Sequence, residues 1–103
     1  MSFSAVDVET TAVSISISDD SLSVELSDGR SISVPLAWFP RLTYGNTGER
    51  NNWRFIGNGN GIHWPELDED ISVENLLTGK RSSESQHSLK QWLDARQTEG
   101  GTA

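Results

Sequence analysis

The chain has no cysteine, only two lysines and three prolines among its 103 residues, and its longest uninterrupted apolar run is a few residues. Without cysteine there is no disulfide framework, thiolate zinc site or cysteine nucleophile. Without a long apolar run there is no membrane-spanning helix, since a span needs about 20 such residues. The opening Met1-Ser2-Phe3-Ser4 has no basic segment leading into an apolar stretch, so no signal peptide is expected and a soluble, cytoplasmic protein is. Positive charge is also scarce: eight Lys plus Arg face fifteen Asp plus Glu, a formal charge of −7. Such a surface repels a phosphate backbone and argues against direct nucleic-acid binding. The length suits one small domain, and a chain of about 100 residues buries only about two thirds of its unfolded surface, so the core must hold the fold without a covalent staple.

What is present begins with alternation. Residues 13–18, Val-Ser-Ile-Ser-Ile-Ser, place Val13, Ile15 and Ile17 on one side and three serines on the other, the pattern of a half-buried strand. Leu22, Val24 and Leu26 repeat it after Asp19-Asp20, and Ile32, Val34 and Leu36 after Asp28-Gly29, a dipeptide that tolerates the positive φ of a tight hairpin. The spacing predicts an antiparallel meander near 13–18, 22–27 and 31–35. The period breaks at Pro35-Leu36-Ala37-Trp38-Phe39-Pro40, where a turn into a short helix would carry Phe39 and Leu42 inward.

Residues 43–52 are polar, and Thr47 could cap one or two helical turns there. Trp53-Arg54-Phe55-Ile56 and Ile62-His63-Trp64 flank Gly57-Asn58-Gly59-Asn60-Gly61, which reads as a second hairpin with a glycine-rich loop. Ser72 resembles an N-cap, Glu74 suits a first helical turn and Gly79 a stop, giving a helix near 72–78. The polar run Lys80 to Ser85 then reads as a linker. Ser83 with Gln86 fits a capping box, and Leu89, Trp92 and Leu93 at i, i+3 and i+4 give an amphipathic helix over 84–97 with a narrow stripe, before a frayed Thr98–Ala103. Residues 1–79 hold four arginines and twelve acids, against four bases and three acids in 80–103. The reading is therefore an α+β fold, with an acidic domain over 1–79 and an appended linker and helix over 80–103.

Each constellation that invites chemistry also has a plainer account. The loop Gly57–Gly61 could cradle a phosphate, but G-x-G-x-G before a β-like segment fits neither a dinucleotide fingerprint nor a P-loop. Glu66-Leu67-Asp68-Glu69-Asp70 with His63 upstream could offer oxygens and an imidazole to a metal. A calcium loop starting at Asp68 would put Val73 where glycine belongs and Gly79 where a bidentate Glu is required, so a solvated turn or an acid-rich helix start is preferred. His63 could serve as a general base oriented by Asp68, yet a lone histidine beside a tryptophan is more often scaffold. Gly-x-Ser-x-Gly is absent. Trp38, Trp53 and Trp64 suit a small core, although one or two could form an exposed patch with Arg41, Arg50 or Arg54.

The segments Asp28-Gly29-Arg30, Val34 to Leu42, Glu49-Arg50-Asn51-Asn52-Trp53, Gly61-Ile62-His63-Trp64-Pro65-Glu66-Leu67-Asp68-Glu69-Asp70-Ile71-Ser72-Val73 and Leu76-Leu77-Thr78-Gly79 resemble the bacterial family catalogued as domain of unknown function 2442, over about residues 11–79. The resemblance implies a small α+β domain of bacteria or their phages with no established activity. Some relatives resemble proteins with an added helix-turn-helix, for which the residues after Gly79 leave no room, and others the antitoxin-like half of a two-gene pair with a small basic partner. The candidate binding residues are Arg41, Arg50, Trp53, His63, Trp64, Asp68, Glu69 and Asp70, with Trp92 on the tail helix. Arginine–acid pairing that holds the loops would account for the first eight without a ligand. No catalytic residue, metal or cofactor is assigned. The function expected is a non-enzymatic protein-interaction module binding a basic protein. The alternatives are a small metal-dependent or acid-base enzyme using His63, Asp68 and Asp70, and an acidic mimic of nucleic acid.

Overall fold

Alternation of apolar and polar side chains builds two antiparallel three-stranded sheets in the computed structural model, which describes residues 10–100, with side chains as far as Arg96. The first sheet is the expected meander, β1 (Ala12–Ile17), β2 (Ser21–Leu26) and β3 (Ser31–Pro35), with β2 central. Leu22, Val24 and Leu26 of β2 are buried, while Ser23 and Ser33 join hydroxyls across the solvent face at 2.7 Å. One detail departs from strict alternation. Ala12 pairs with Leu26 and Ser14 with Glu25, so Val13 is the extra residue of a β-bulge. The bulge turns Ala12 inward in place of Val13, which is 54% exposed, and Ile15 and Ile17 stay in phase with the core. At the β2–β3 turn Gly29 has φ +96°, and the Asp28 carboxylate accepts from the backbone N–H and Nε of Arg30 at 3.0 and 2.8 Å.

Beyond β3 a 3₁₀ turn (Leu36–Trp38) leads into α1 (Pro40–Tyr44), with proline at the helix start where its missing N–H costs nothing. Leu36, Phe39 and Leu42 point inward, as expected. Helix α2 (Thr47–Asn51) forms too, but its cap is Asn46 and not Thr47: the Asn46 side chain accepts from the Glu49 N–H while the Glu49 carboxylate accepts from the Asn46 N–H, a reciprocal capping box.

The second sheet holds the main correction. The expected hairpin is present as β4 (Arg54–Ile56) and β5 (Gly61–Trp64), joined through Gly57, Asn58 and Gly59, all at positive φ, which is why the loop needs glycine and asparagine. A Cβ on Gly59 would stand 3.0 Å from the Ala12 carbonyl oxygen, so the loop seats directly on the start of β1. Residues 69–72, however, are a third strand, β6 (Glu69–Ser72), and not a turn or an acidic helix start. A turn over Pro65–Asp68, with Leu67 buried and Asp68 at φ +51°, returns the chain so that Glu69 pairs with Trp64, Asp70 with His63 and Ile71 with Ile62. Helix α3 (Val73–Thr78) follows, capped by Ser72 and ended by the left-handed Gly79 as anticipated.

The linker leads to α4 (Gln86–Gly100), which starts two residues later than expected and extends past 97. Its cap is Ser85, whose hydroxyl accepts from the Ser88 N–H at 3.0 Å, and not Ser83. Of the expected frayed segment Thr98–Ala103, residues 101–103 and the side chains of 98–100 lie outside the described residues. Among the described side chains of this helix only Leu89 is buried; Trp92 packs half-buried against the core. No helix among the described residues is long and apolar enough to cross a membrane.

Candidate functional site

Trp64 sits at the centre of the molecule, fully buried, and its indole N–H donates to the Arg50 carbonyl at 2.9 Å. The Arg50 side chain turns the other way. Its Nε donates to the Leu42 carbonyl and its Nη2 to that of Thr43, both at 2.8 Å, bracing the carbonyl end of the short helix α1. Only Nη1 reaches a carboxylate, that of the fully exposed Asp19, at 3.7 Å. Arg50 and Trp64 therefore tie α1, α2 and β5 together. Trp53 stands apart, half-buried with its ring 5.0 Å from that of Phe55.

Arg41, on α1, does pair with acids, but the main one lies in the linker. Nε and Nη2 donate to the two oxygens of Glu84, each at 2.7 Å, a bidentate fork with both side chains largely shielded, 15% and 8% exposed. Nη1 donates to the carbonyls of Leu67 and Asp68, with the Asp68 carboxylate at 3.6 Å. The guanidinium also stands 5.0 Å from the centre of the Trp92 ring, and that of Arg96 stands 4.6 Å from it. Arg96 in turn makes a fork with Glu49, at 2.8 and 3.1 Å. A continuous series, Glu84–Arg41–Trp92–Arg96–Glu49, thus fastens α4 to α1 and α2. The Arg41 fork holds the Glu84 carboxyl below its ordinary proton affinity, and the Arg96 fork does the same for Glu49.

Glu69 differs from both. Because it pairs with Trp64 across the sheet, its side chain projects from the core face of β6, an inward-pointing charge on an edge strand. The Arg41 fork is taken by Glu84, and among the described residues the Glu69 side chain has no hydrogen bond or ion pair. Burial pushes its carboxyl up to about 7; Arg41 opposes this, while Glu84, Asp70 and Asp68 add to it. The group lies in a cleft of about 330 Å³ between β6 and the linker, walled by Asp68–Ile71 on one side, Lys80–Glu84 on the other, and by Phe39 and Arg41. On the opposite face of the sheet Nδ1 of His63 pairs with the Asp70 carboxylate. His63 is thus oriented by Asp70 and not by Asp68, whose side chain is 87% exposed.

The structure brings Arg41, Asp68, Glu69 and Asp70 to one cleft, with Trp92 behind Arg41. It places Arg50 and Trp64 in an interior brace and leaves Trp53 to packing. Glu49, Glu84 and Arg96 are partners of the candidate residues that sequence reasoning did not assign to the site. Glu49 had a local signal, Asn46-x-x-Glu49, but nothing local announces that Glu84 and Arg96 reach residues 43 and 47 positions away. Among the described residues, no group of three His, Asp or Glu converges to hold a metal ion.

The chain belongs to the family described as Protein of unknown function (DUF2442), whose model matches residues 12–82. Two solved structures share its fold. A protein of unknown function from Rhodospirillum rubrum has TM-score 0.63 and 24% identity, over 74% of this chain and 94% of that one. An uncharacterized protein from Chromobacterium violaceum has TM-score 0.64 and 18% identity, over 78% of this chain and 75% of that one. No curated protein matches the sequence.

Proposed function

We propose that the protein is a non-enzymatic interaction module that binds a basic protein through its exposed acids, acting in the bacterial cytoplasm as the antitoxin-like half of a pair. The observation that carries this is how the arginines of the domain are used. Arg50 is turned onto backbone carbonyls, Arg41 is held by Glu84 and Arg30 by Asp28, so three of the four arginines before Gly79 are engaged internally. Asp20, Glu25, Glu66, Asp68, Asp70 and Glu74 meanwhile stay exposed. An acidic surface whose counter-charges serve the scaffold attracts a cationic partner over distances comparable to the Debye length, about 10 Å at 0.1 M salt.

The test is affinity capture of the native protein from its own cell, followed by surface plasmon resonance against what is captured. A basic partner is expected, with an association rate that falls steeply as salt rises from about 0.05 to 0.5 M while dissociation changes less. Charge reversal by Asp68→Lys with Asp70→Lys should slow association further. Salt-independent association would refute the reading.

A further inference from the structure

Two carboxylates, those of Glu84 and Glu69, line a cleft together with the shielded guanidinium of Arg41. Glu84 makes the fork; the Glu69 side chain, on the buried face of β6, has no hydrogen bond or ion pair among the described residues. Glu84 also opens the tail. Its carboxylate accepts from the Ser88 hydroxyl at 2.7 Å, and α4 begins two residues after it, beyond the end of the family match at residue 82. Among the described residues, the remaining attachments of α4 are the Arg96–Glu49 fork, the half-buried Trp92 ring, which lies between two guanidiniums and packs on the edge of the core, and the buried Leu89. A helix held this way can leave its seat without opening the core formed by the two sheets.

We propose that α4 is a releasable strap, closed while Glu84 holds Arg41 and loosened when an ionised Glu69 competes for the same guanidinium. With Glu69 protonated, Arg41 faces Glu84 in the fork and the exposed Asp68 carboxylate at 3.6 Å, and the fork is undisturbed. Once Glu69 loses its proton, a further anion faces the same cation, and the new charge repels Glu84 in surroundings that screen it less than bulk water does. The proton affinity of Glu69 puts this change near neutral pH. The charged groups around Glu69 are Arg41 from α1, Asp68 from the turn before β6, its strand neighbour Asp70, and Lys80, Arg81 and Glu84 from the linker; α3 contributes only the uncharged Asn75. Lys80 and Arg81 are exposed, which leaves Arg41 as the cation shielded in the cleft.

The experiment is amide hydrogen exchange on the full chain at about pH 6 and about pH 8, expressed as protection relative to the intrinsic rate at each pH, so that the chemistry of exchange cancels. Protection across 86–96 should fall about fivefold or more between the two conditions, the lower end of ordinary site-to-site coupling. Protection in β2 and β5 should change far less. Glu69→Gln, an isostere of the protonated acid, should keep the strap closed at both pH values. Glu84→Gln should loosen it at both. His87, in the first turn of α4, is the control: His87→Gln must leave the wild-type response in place. Flat protection in the wild type, a response that survives in Glu69→Gln, or one abolished by His87→Gln would each overturn the proposal.

Discussion

Replacing Glu69 by Gln should stabilise the protein at about pH 8 and leave it nearly unchanged at about pH 5, because its carboxyl holds a proton in the folded state that it gives up on unfolding. Folding raises its proton affinity from 4.5 to about 7. Between those values the folded state binds more protons than the unfolded one, so stability falls as pH rises through the window, and above it the full cost of the buried charge is present. At about 1.4 kcal/mol for each tenfold change in affinity, the rise corresponds to roughly 3 kcal/mol. The group is partly open to solvent, which screens its charge, so a gain of about 1–2 kcal/mol is the figure to expect. Gln removes the charge and keeps the shape, as does the protonated acid. Urea denaturation of both proteins at both pH values measures the effect as a difference of differences, in which pH effects common to both proteins cancel. An equal change at both pH values, or destabilisation at the higher one, would refute the assignment of Glu69 as the strained group.

Acid should act in the opposite sense on the strap. Glu84 and Glu49 have lowered proton affinities, so the stability they contribute is present above the ordinary carboxylate range and is lost as pH falls through their folded values; α4 should lose amide protection as pH falls below the ordinary carboxylate range, before the sheets unfold. Trp64→Phe should cost about 2–4 kcal/mol in urea unfolding, since it deletes the bond to the Arg50 carbonyl and leaves a void at a fully buried site; a cost below about 1 kcal/mol would argue against the brace. Gly59→Ala should be more damaging than Gly29→Ala although both have positive φ, because a Cβ at Gly59 meets backbone 3.0 Å away and one at Gly29 meets nothing within 4 Å. Equal thermal shifts for the two would show that φ alone decides.

The meander was legible because strict alternation over three short segments admits little else, and α3 because its cap and its terminating glycine are local signals. The strand β6 was not legible. Glu69 and Asp70 carry charge where a strand is expected to be apolar or alternating, and only Ile71 is buried, so the string reads as a solvated turn. The charge makes sense once the pairing is known: Glu69 is a buried-face acid on an edge strand, which discourages further strands from adding there. Of the candidate site, Arg41 does pair with Asp68, while Arg50 turns its Nε and Nη2 onto carbonyls and meets only Asp19, an acid outside the candidate group. The decisive partner of Arg41, Glu84, lies across a linker, and no periodicity or local motif encodes a contact over 43 positions.

These contacts change how the tail can be tested for a part in partner binding. Trp92 is half-buried between two guanidiniums of its own chain, so Trp92→Ala removes an intramolecular anchor whether or not the ring also touches a partner. A slower or faster dissociation in that variant would have two explanations. Glu84→Gln separates them, because it unfastens the same helix through the Arg41 fork and leaves the indole in place. If the tail matters only through its seating, both variants should change dissociation from a captured basic protein to a similar degree, and that is the expected result. If Trp92 is itself an interface anchor, Trp92→Ala alone should raise the off-rate by about thirtyfold, the equivalent of about 2 kcal/mol, while Glu84→Gln leaves it near the wild-type value. That second pattern would move Trp92 from the scaffold to the binding surface.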